Sequence, residues 1–401
     1  MNTNMIDSNA LDKQPYAARW LLRVLNKISC GHLELIGPQG QRWEFIGKQA
    51  GPRASLQLLD WGVCANLLRK GDIGMAEAYI ADQLRTDDLS ALLLLAAMNA
   101  EQIAPAIHGR WWAVLIYRLR HLLRRNSRHG SRKNIHAHYD LGNTFYQLWL
   151  DPSMTYSSAW FGGDYAQTLD RAQQGKYERI MQQLAPTPGD HILEIGCGWG
   201  GFAEYAARQG TRVTGITISQ QQLNYAQDRI KHAGLDSLVT MQLVDYRDVD
   251  QQFDHVVSIE MFEAVGESYW PSYFELIKRS LKPGGRAVIQ TITIAEEKFE
   301  RYRSSTDFIQ QYIFPGGMLP AVSVFKAIAA DQGLLTASTN FFGDDYAETL
   351  QRWHEQFLHV IPQLNDFDLR FIRTWRFYLA YCEAGFRTRA TNVMHAVLRH
   401  A

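Results

Sequence analysis

The chain has 401 residues, 46% hydrophobic and 20% charged, an ordinary globular composition with room for more than one folded unit. Its 41 basic and 41 acidic residues cancel, so no global field points to nucleic acid or to an acidic substrate, and any basic surface has to be local. Four cysteines (Cys30, Cys64, Cys197 and Cys382) lie far apart with no C-x-x-C pair, which argues against a disulfide framework or a zinc site. A reducing compartment is expected, with the cytoplasm as default.

The first twenty residues show no basic segment leading into an apolar one, so a secretory signal is not expected. The longest apolar run, SALLLLAAM at 90–98, is about half the ~20 residues that a membrane-spanning helix requires. Residues 30–46 carry two short alternating runs around Gly-Pro-Gln-Gly, a hairpin signal. Helical spacing takes over after about residue 60, and 1–108 reads as a small α+β domain.

Residues 109–134 read as a basic amphipathic linker helix. Eight cations, from Arg110 to Lys133, stand in a stretch with no acid between Glu101 and Asp140. Trp111, Trp112, Leu115, Ile116, Leu119, Leu122 and Leu123 fall at helical spacing, with arginines on other faces. Such a helix suits an anionic membrane surface; the competing reading is an interdomain helix that buries its aromatics against the protein.

From residue 190, β-branched runs alternate with helical stretches: HILEI (191–195), RVTGITI (212–218), VTMQLV (239–244), HVVSIEM (255–261) and RAVIQTITI (286–294). This predicts an α/β fold with a doubly wound, Rossmann-like parallel sheet. Polar helical segments and further helices are expected after 295, including a helical lipid-binding insertion around 296–345.

The stretch LEIGCGWGG (193–201) follows the first strand and opens a helix, where open α/β sheets bind ligands. A dinucleotide fingerprint would read G-x-G-x-x-G and a P-loop would end in Gly-Lys-Ser/Thr; the spacing here is E-x-G-x-G-x-G. The alternative to a ligand loop is a plain tight turn.

That spacing resembles motif I of the class I S-adenosylmethionine-dependent methyltransferases. Further stretches resemble, in order, the cyclopropane fatty acid synthase and mycolic acid cyclopropane synthase family: HAHYDLGNTFYQLWLDPSMTYSSAWF (136–161), GITISQQQLNYAQ, DYRDV (245–249), FEAVGESYW (262–270), YIFPGGMLP (312–320) and YLAYCEAGFRTR (378–389). The resemblance covers about residues 135–395 closely. It implies methyl transfer from S-adenosylmethionine to a cis double bond of an unsaturated phospholipid acyl chain, giving a cyclopropane, by an enzyme peripheral to the inner face of the membrane.

For the cofactor the resemblance points to Tyr156 and Ser157, to Ile192, Leu193, Glu194, Ile195, Gly196, Cys197, Gly198, Trp199 and Gly200, to Thr217, Ile218, Ser219, Gln220, Gln221 and Gln222, and to Tyr246 with Arg247. It places a bicarbonate base among Ser158, Glu263, Gln290, Ile292 and Tyr346. Three positions depart from the family pattern: Ser158 often stands as cysteine, Gln290 as histidine and Ala264 as histidine. Serine and glutamine still donate hydrogen bonds to an anion, yet losing a histidine leaves a methyl-branched or methylene product open beside the ring. A lipid-binding protein without catalysis is the reading from another class.

An alkene needs no general base to attack a sulfonium methyl; proximity does that work. The resulting carbocation favours a dry pocket with aromatic faces, for which TYSSAWF, YIFPGGM and NFFGDDY offer candidates. A base must then take one proton to close the ring. Cys382 matches a family cysteine and is a candidate, although attack by an alkene gives a nucleophile no clear task. Cys197 reads as a small packing residue within the loop. The oligomeric state stays open, a homodimer among the options.

Overall fold

The computed structural model describes residues 14–107 and 142–401. The basic stretch 110–133 and the start of the 136–161 motif lie outside the described residues.

The Gly-Pro-Gln-Gly turn closes the expected hairpin. Gly37 N–H donates to Gln41 O at 2.8 Å, joining β1 (Cys30–Ile36) to β2 (Arg42–Ile46). Trp43 and Phe45 alternate inward while their neighbours face water. A further strand, β3 (Gln49–Leu58), pairs parallel to β1 on its other side and carries the short β4 (Leu84–Arg85).

Helix Tyr16–Leu25 precedes the hairpin, and helices Gly62–Lys70, Asp72–Ile80, Leu89–Met98 and Ala100–Ile107 complete this part of the chain. The apolar run 90–98 lies in the third of them, wedged between β3 and a long helix near the other end of the chain, Leu369–Arg387. A helix apolar nearly all round is a buried one. No helix among the described residues is long and apolar enough to cross a membrane.

The core of this first part is therefore not its own. One apolar cluster joins Leu35, Phe45, Leu58 and Leu93 to Trp149, Trp353, Trp375 and Phe377. Polar contacts cross the same seam: Tyr381 Oη donates to Asp72 Oδ2 at 2.8 Å, and Arg373 donates to the carbonyls of Tyr79 and Leu84.

The second sheet has seven strands in the order β10-β11-β9-β8-β5-β6-β7. The five expected from sequence are β5 (His191–Ile195), β6 (Arg212–Thr217), β7 (Val239–Leu243), β8 (Phe253–Ile259) and β9 (Leu281–Ile294), all parallel. From β5 the chain winds out to β7, then returns to β8 on the other side. Ligands bind at such a switch point, outside the carboxyl ends of the strands.

The expectation of helices alone after residue 295 is corrected. Helices Glu296–Ser304 and Val322–Asp331 do form, but β10 (Leu334–Phe341) begins inside the expected insertion, and β11 (Thr391–His400) pairs antiparallel with both β10 and β9. Residues 393–398 of β11 are all buried, and an apolar run this short cannot be distinguished from a buried helix by periodicity. The sheet is mixed at that edge.

Candidate active site

The glycine loop sits where its spacing predicts. Gly196, Gly198 and Gly200 have φ of +81°, +52° and +82°, the left-handed region that favours glycine. A side chain at Gly196 would also meet Met261 Cγ at 2.9 Å. Two amides, Gly196 N–H and Cys197 N–H, donate to Ile216 O at 3.0 and 2.9 Å, tying the loop to the end of β6. The loop's remaining backbone faces a cavity of about 330 Å³.

Glu194, at the end of β5, lines this cavity and is buried, and its Oε2 has no hydrogen-bond partner. Burial pushes its pKa well up, against the opposing charges of Lys176 and Arg229. An orphaned carboxyl beside close-approach glycines fits a ligand with an ammonium group, the amino-acid end of S-adenosylmethionine. Thr217 and Gln222 line the same end, hydrogen-bonded to each other at 2.9 Å. Tyr246 presents a ring there, and Arg247 makes a bidentate pair with Asp245 at 2.8 and 2.6 Å. A flat aromatic at a strand end suits adenine.

Several residues expected at the cofactor do not face the cavity. Ile192 and Leu193 are core residues of β5. Ser219 caps helix Gln220–His232, its hydroxyl accepting from Gln222 N–H at 3.4 Å, while Gln220 is exposed and bonds Asn224. Neither these two nor Gln221 and Gly200 are in the wall, whereas Tyr156, Ser157, Ile195, Gly196, Cys197, Gly198, Trp199 and Ile218 are.

The other end of the cavity is built around two carboxylates. Glu263 is in the wall, its Oε1 accepting from Thr291 Oγ1 at 3.0 Å and from the backbone N–H of Ile292. Its Oε2 is buried without a partner. Burial first, and then the neighbouring Glu260, push its pKa up to about 8.

Glu260, which sequence reasoning missed, is the second. It follows β8 with φ +50°, unusual for a residue with a side chain. Its amide donates to Gln290 O at 2.8 Å. Oε1 accepts from Ser158 N–H at 2.8 Å and from Gln290 Nε2 at 2.7 Å; Oε2 accepts from Tyr346 Oη at 2.5 Å. Ser158 and Gln290 are wholly buried behind it and do not line the cavity, whereas Glu260, Ile292 and Tyr346 do.

This bears directly on the expected bicarbonate. The donors that the resemblance assigns to the anion, on Ser158, Gln290 and Tyr346, are bonded to a carboxylate of the chain itself. Ser158 Oγ donates to Ala159 O at 3.0 Å, and Gln290 Oε1 pairs with His395 Nε2 at 2.8 Å. The residues present therefore do not fit a bicarbonate at that place.

Lys176 was also missed. It is fully buried, its ammonium donating to Ser157 Oγ at 2.6 Å, and burial pulls its pKa down to about 7 against the pull of Glu260, Asp151 and Glu194. A signal existed: Ala172, Gln173, Lys176, Tyr177 and Ile180 form the buried stripe of helix Leu169–Leu184. For Glu260 the signal was an acid closing the apolar run HVVSI.

Aromatic rings wall this end: Tyr156, Phe314, Tyr346, Tyr378 and Phe386. Phe341 is exposed, and Trp160 packs under Arg179 away from the cavity. Cys382 lines the wall, but burial pushes its thiol far up, so it is no thiolate nucleophile. Cys197 is likewise pushed up, and its Cβ lies where a side chain on Gly215 would fall, which is a packing role.

A seven-stranded Rossmann-like sheet with this glycine loop at its switch point defines a class I S-adenosylmethionine-dependent methyltransferase. The profile of the mycolic acid cyclopropane synthetase family matches residues 126–396. The chain belongs to that family.

Among relatives, it is 38% identical to tuberculostearic acid methyltransferase UfaA1 of Mycobacterium tuberculosis over 81% of this chain and 78% of that one. It is 40% identical to the cyclopropane-fatty-acyl-phospholipid synthase of Escherichia coli K12 over 65% of this chain and 66% of that one. Among solved structures, the cyclopropane synthase MmaA2 from Mycobacterium tuberculosis aligns with TM-score 0.63 at 27% identity, covering 67% of this chain and 97% of that one. CmaA1, a mycolic acid cyclopropane synthase complexed with SAH and CTAB, aligns with TM-score 0.60 at 28% identity, covering 67% and 97%.

Proposed function

We propose that the protein transfers the methyl group of S-adenosylmethionine to a cis double bond in an unsaturated phospholipid acyl chain and closes the product to a cyclopropane. The observation that carries this reading is one cavity with the glycine loop at one end and two buried carboxylates under an aromatic wall at the other. When bound, the cofactor supplies an electrophilic methyl. The residues do the rest: Glu194 and the loop backbone hold its amino-acid end, the rings exclude water and tolerate a cation, and a carboxylate takes the proton.

Room for the acyl chain supports the lipid assignment. A second cavity, about 990 Å³ and walled mainly by apolar side chains, shares Tyr302, Asp307, Leu319 and Tyr381 with the first. A second reading keeps cofactor and lipid but ends in a methylene or methyl-branched chain; the kinship to a tuberculostearic acid methyltransferase favours it.

Labelled cofactor, the full chain and unsaturated phospholipid vesicles test both readings by mass spectrometry of the released acyl chains. A net gain of CH2 with loss of the alkene supports the ring. The same gain with an alkene retained supports the rival, as does a gain of CH4 in a parallel reaction that contains an added hydride donor. No transfer to any vesicle, with S-adenosylhomocysteine still bound in calorimetry, supports a non-catalytic lipid-binding protein. We also propose peripheral docking on anionic membrane through residues 110–133; vesicle binding is expected to weaken with salt and with Arg124→Glu/Arg125→Glu, and salt-insensitive binding would count against it.

A further inference from the structure

We infer that Glu260 is the built-in base of the reaction, the carboxylate that receives the proton released after methyl transfer, so that the enzyme works without bicarbonate. The inference rests on the methyl-transfer reading above and deepens it.

The geometry gives Glu260 what a base at that point requires. It lines the cavity between the glycine loop's neighbour Met261 and the ring of Tyr346. Its position is over-determined, with the backbone pinned to β9 through Gln290 O and three donors on its carboxylate. Strain at φ +50° costs on the order of 1–3 kcal/mol and persists only where the surroundings hold it.

The hydrogen bonds also distinguish its two oxygens. His395 Nε2 and Gln290 Oε1 are 2.8 Å apart, and burial keeps His395 neutral. Gln290 Nε2 donates to the Glu260 carboxylate, so Gln290 Oε1 faces His395 and accepts from its Nε2–H. Oε1 then accepts two donors, Ser158 N–H and Gln290 Nε2, and both its lone pairs are used. Oε2 accepts only from Tyr346, so one lone pair remains for an incoming proton.

The division of charge between the two acids agrees. Burial raises the pKa of Glu260, and its three donors and the nearby Lys176 oppose that rise by favouring the ionised form. Glu263, with an unpartnered oxygen and Glu260 beside it, is the member held protonated near neutral pH. Of the two acids in the cavity, Glu260 is thus the one whose hydrogen bonds favour the charged form.

The step balances without an oxidant or reductant. An alkene carbon forms a bond to the transferred methyl as the methyl–sulfur bond breaks, its electron pair remaining on sulfur. The neighbouring carbon is left cationic. A C–H bond of the new methyl then breaks, its electrons form the third ring bond to the cationic carbon, and the proton goes to Glu260 Oε2. If a hydride first shifts from the methyl-bearing carbon to its cationic neighbour, those electrons instead form an exocyclic double bond to the methyl-bearing carbon, and the same proton goes to the same oxygen.

The test compares wild type, Glu260→Gln and Glu260→Ala in buffers stripped of carbon dioxide and in buffers with added bicarbonate, reading deprotonated product by mass spectrometry and S-adenosylhomocysteine affinity by calorimetry. Wild-type turnover is expected to be indifferent to bicarbonate. Both variants are expected to lose roughly a hundredfold or more in kcat, as for loss of a general base, with cofactor affinity within a few-fold of wild type. Bicarbonate or formate should partly restore Glu260→Ala, where space has opened, and not the isosteric Glu260→Gln. A merely structural role for Glu260 would not give that selective rescue. Wild-type turnover that collapses without bicarbonate, or a Glu260→Gln variant with undiminished product, overturns the inference while methyl transfer stands. A wild type that transfers no methyl to any lipid overturns the underlying reading, and the inference falls with it.

Discussion

The two ends of the cavity are built in opposite ways. The cofactor end is made largely by one loop, residues 194–199, whose glycines and acid are neighbours in sequence. The carboxylate end gathers Glu260 and Glu263 after β8, Ile292 from β9, Tyr346 from helix Gly343–Val360 and Cys382 from helix Leu369–Arg387, with Ser158 and Gln290 behind. A site made by a contiguous loop depends on local backbone conformation. A site made by five segments depends on how the whole molecule packs.

The largest expected effect on ligand binding falls at the local end. Gly196→Val places a branched side chain at φ +81° and against Met261; S-adenosylhomocysteine affinity should drop by roughly a hundredfold or more, about 3 kcal/mol. Calorimetry that finds near-wild-type affinity would break the claim that the loop holds the cofactor by close approach.

The distributed end should respond to packing far from it. Phe377 is fully buried at the seam, against Tyr79 and Phe308. Phe377→Ala is expected to cost about 3–5 kcal/mol in denaturant unfolding. If the part of the chain before residue 108 instead unfolds in a separate, earlier transition with the rest unchanged, the shared core is not a cooperative one.

A pH series sharpens the contrast further. The folded-state pKa of Glu263 lies above its ordinary value, about 8 against 4.5, so the folded state holds the extra proton between those values. Stability from this group is fully present below about 4.5 and is lost as pH rises through about 8. Glu263→Gln removes that slope. Its melting temperature relative to wild type should rise by a few degrees between the acid and alkaline ends of the window; a constant difference would mean that Glu263 ionises freely. The smallest effect is expected at Cys382→Ser, a near-isosteric change at a thiol held protonated by burial. Turnover should stay within about tenfold, and abolished methyl transfer would restore the cysteine as a chemical participant.

The legibility of the site follows the same contrast. Glu194, the three glycines, Thr217 and Tyr246 were readable because the loop and its neighbouring strand ends carry their own signature. Ser158, Gln290 and Tyr346 were readable as a set through resemblance, but not what they surround. Glu260 sits three residues from Glu263 and looked like the end of a strand; only its carboxylate's three donors, from positions 158, 290 and 346, reveal it. Lys176 was hidden by the habit of reading lysine as solvated, although its helical position placed it on the buried stripe.

By itself the sequence determined the parallel strands, the hairpin and the glycine loop, because β-branched runs, turn chemistry and positive-φ glycines act over a few residues. It did not determine the β10–β11 edge, where a short apolar run has no period of its own, or the shared core that unites the chain's first hundred residues with its last helix. The tertiary structure decided those. It also decided the chemistry of the carboxylate end, because desolvation and hydrogen bonds between residues 30 to 102 positions apart set which acid favours its charged form, and no spacing in the chain encodes that.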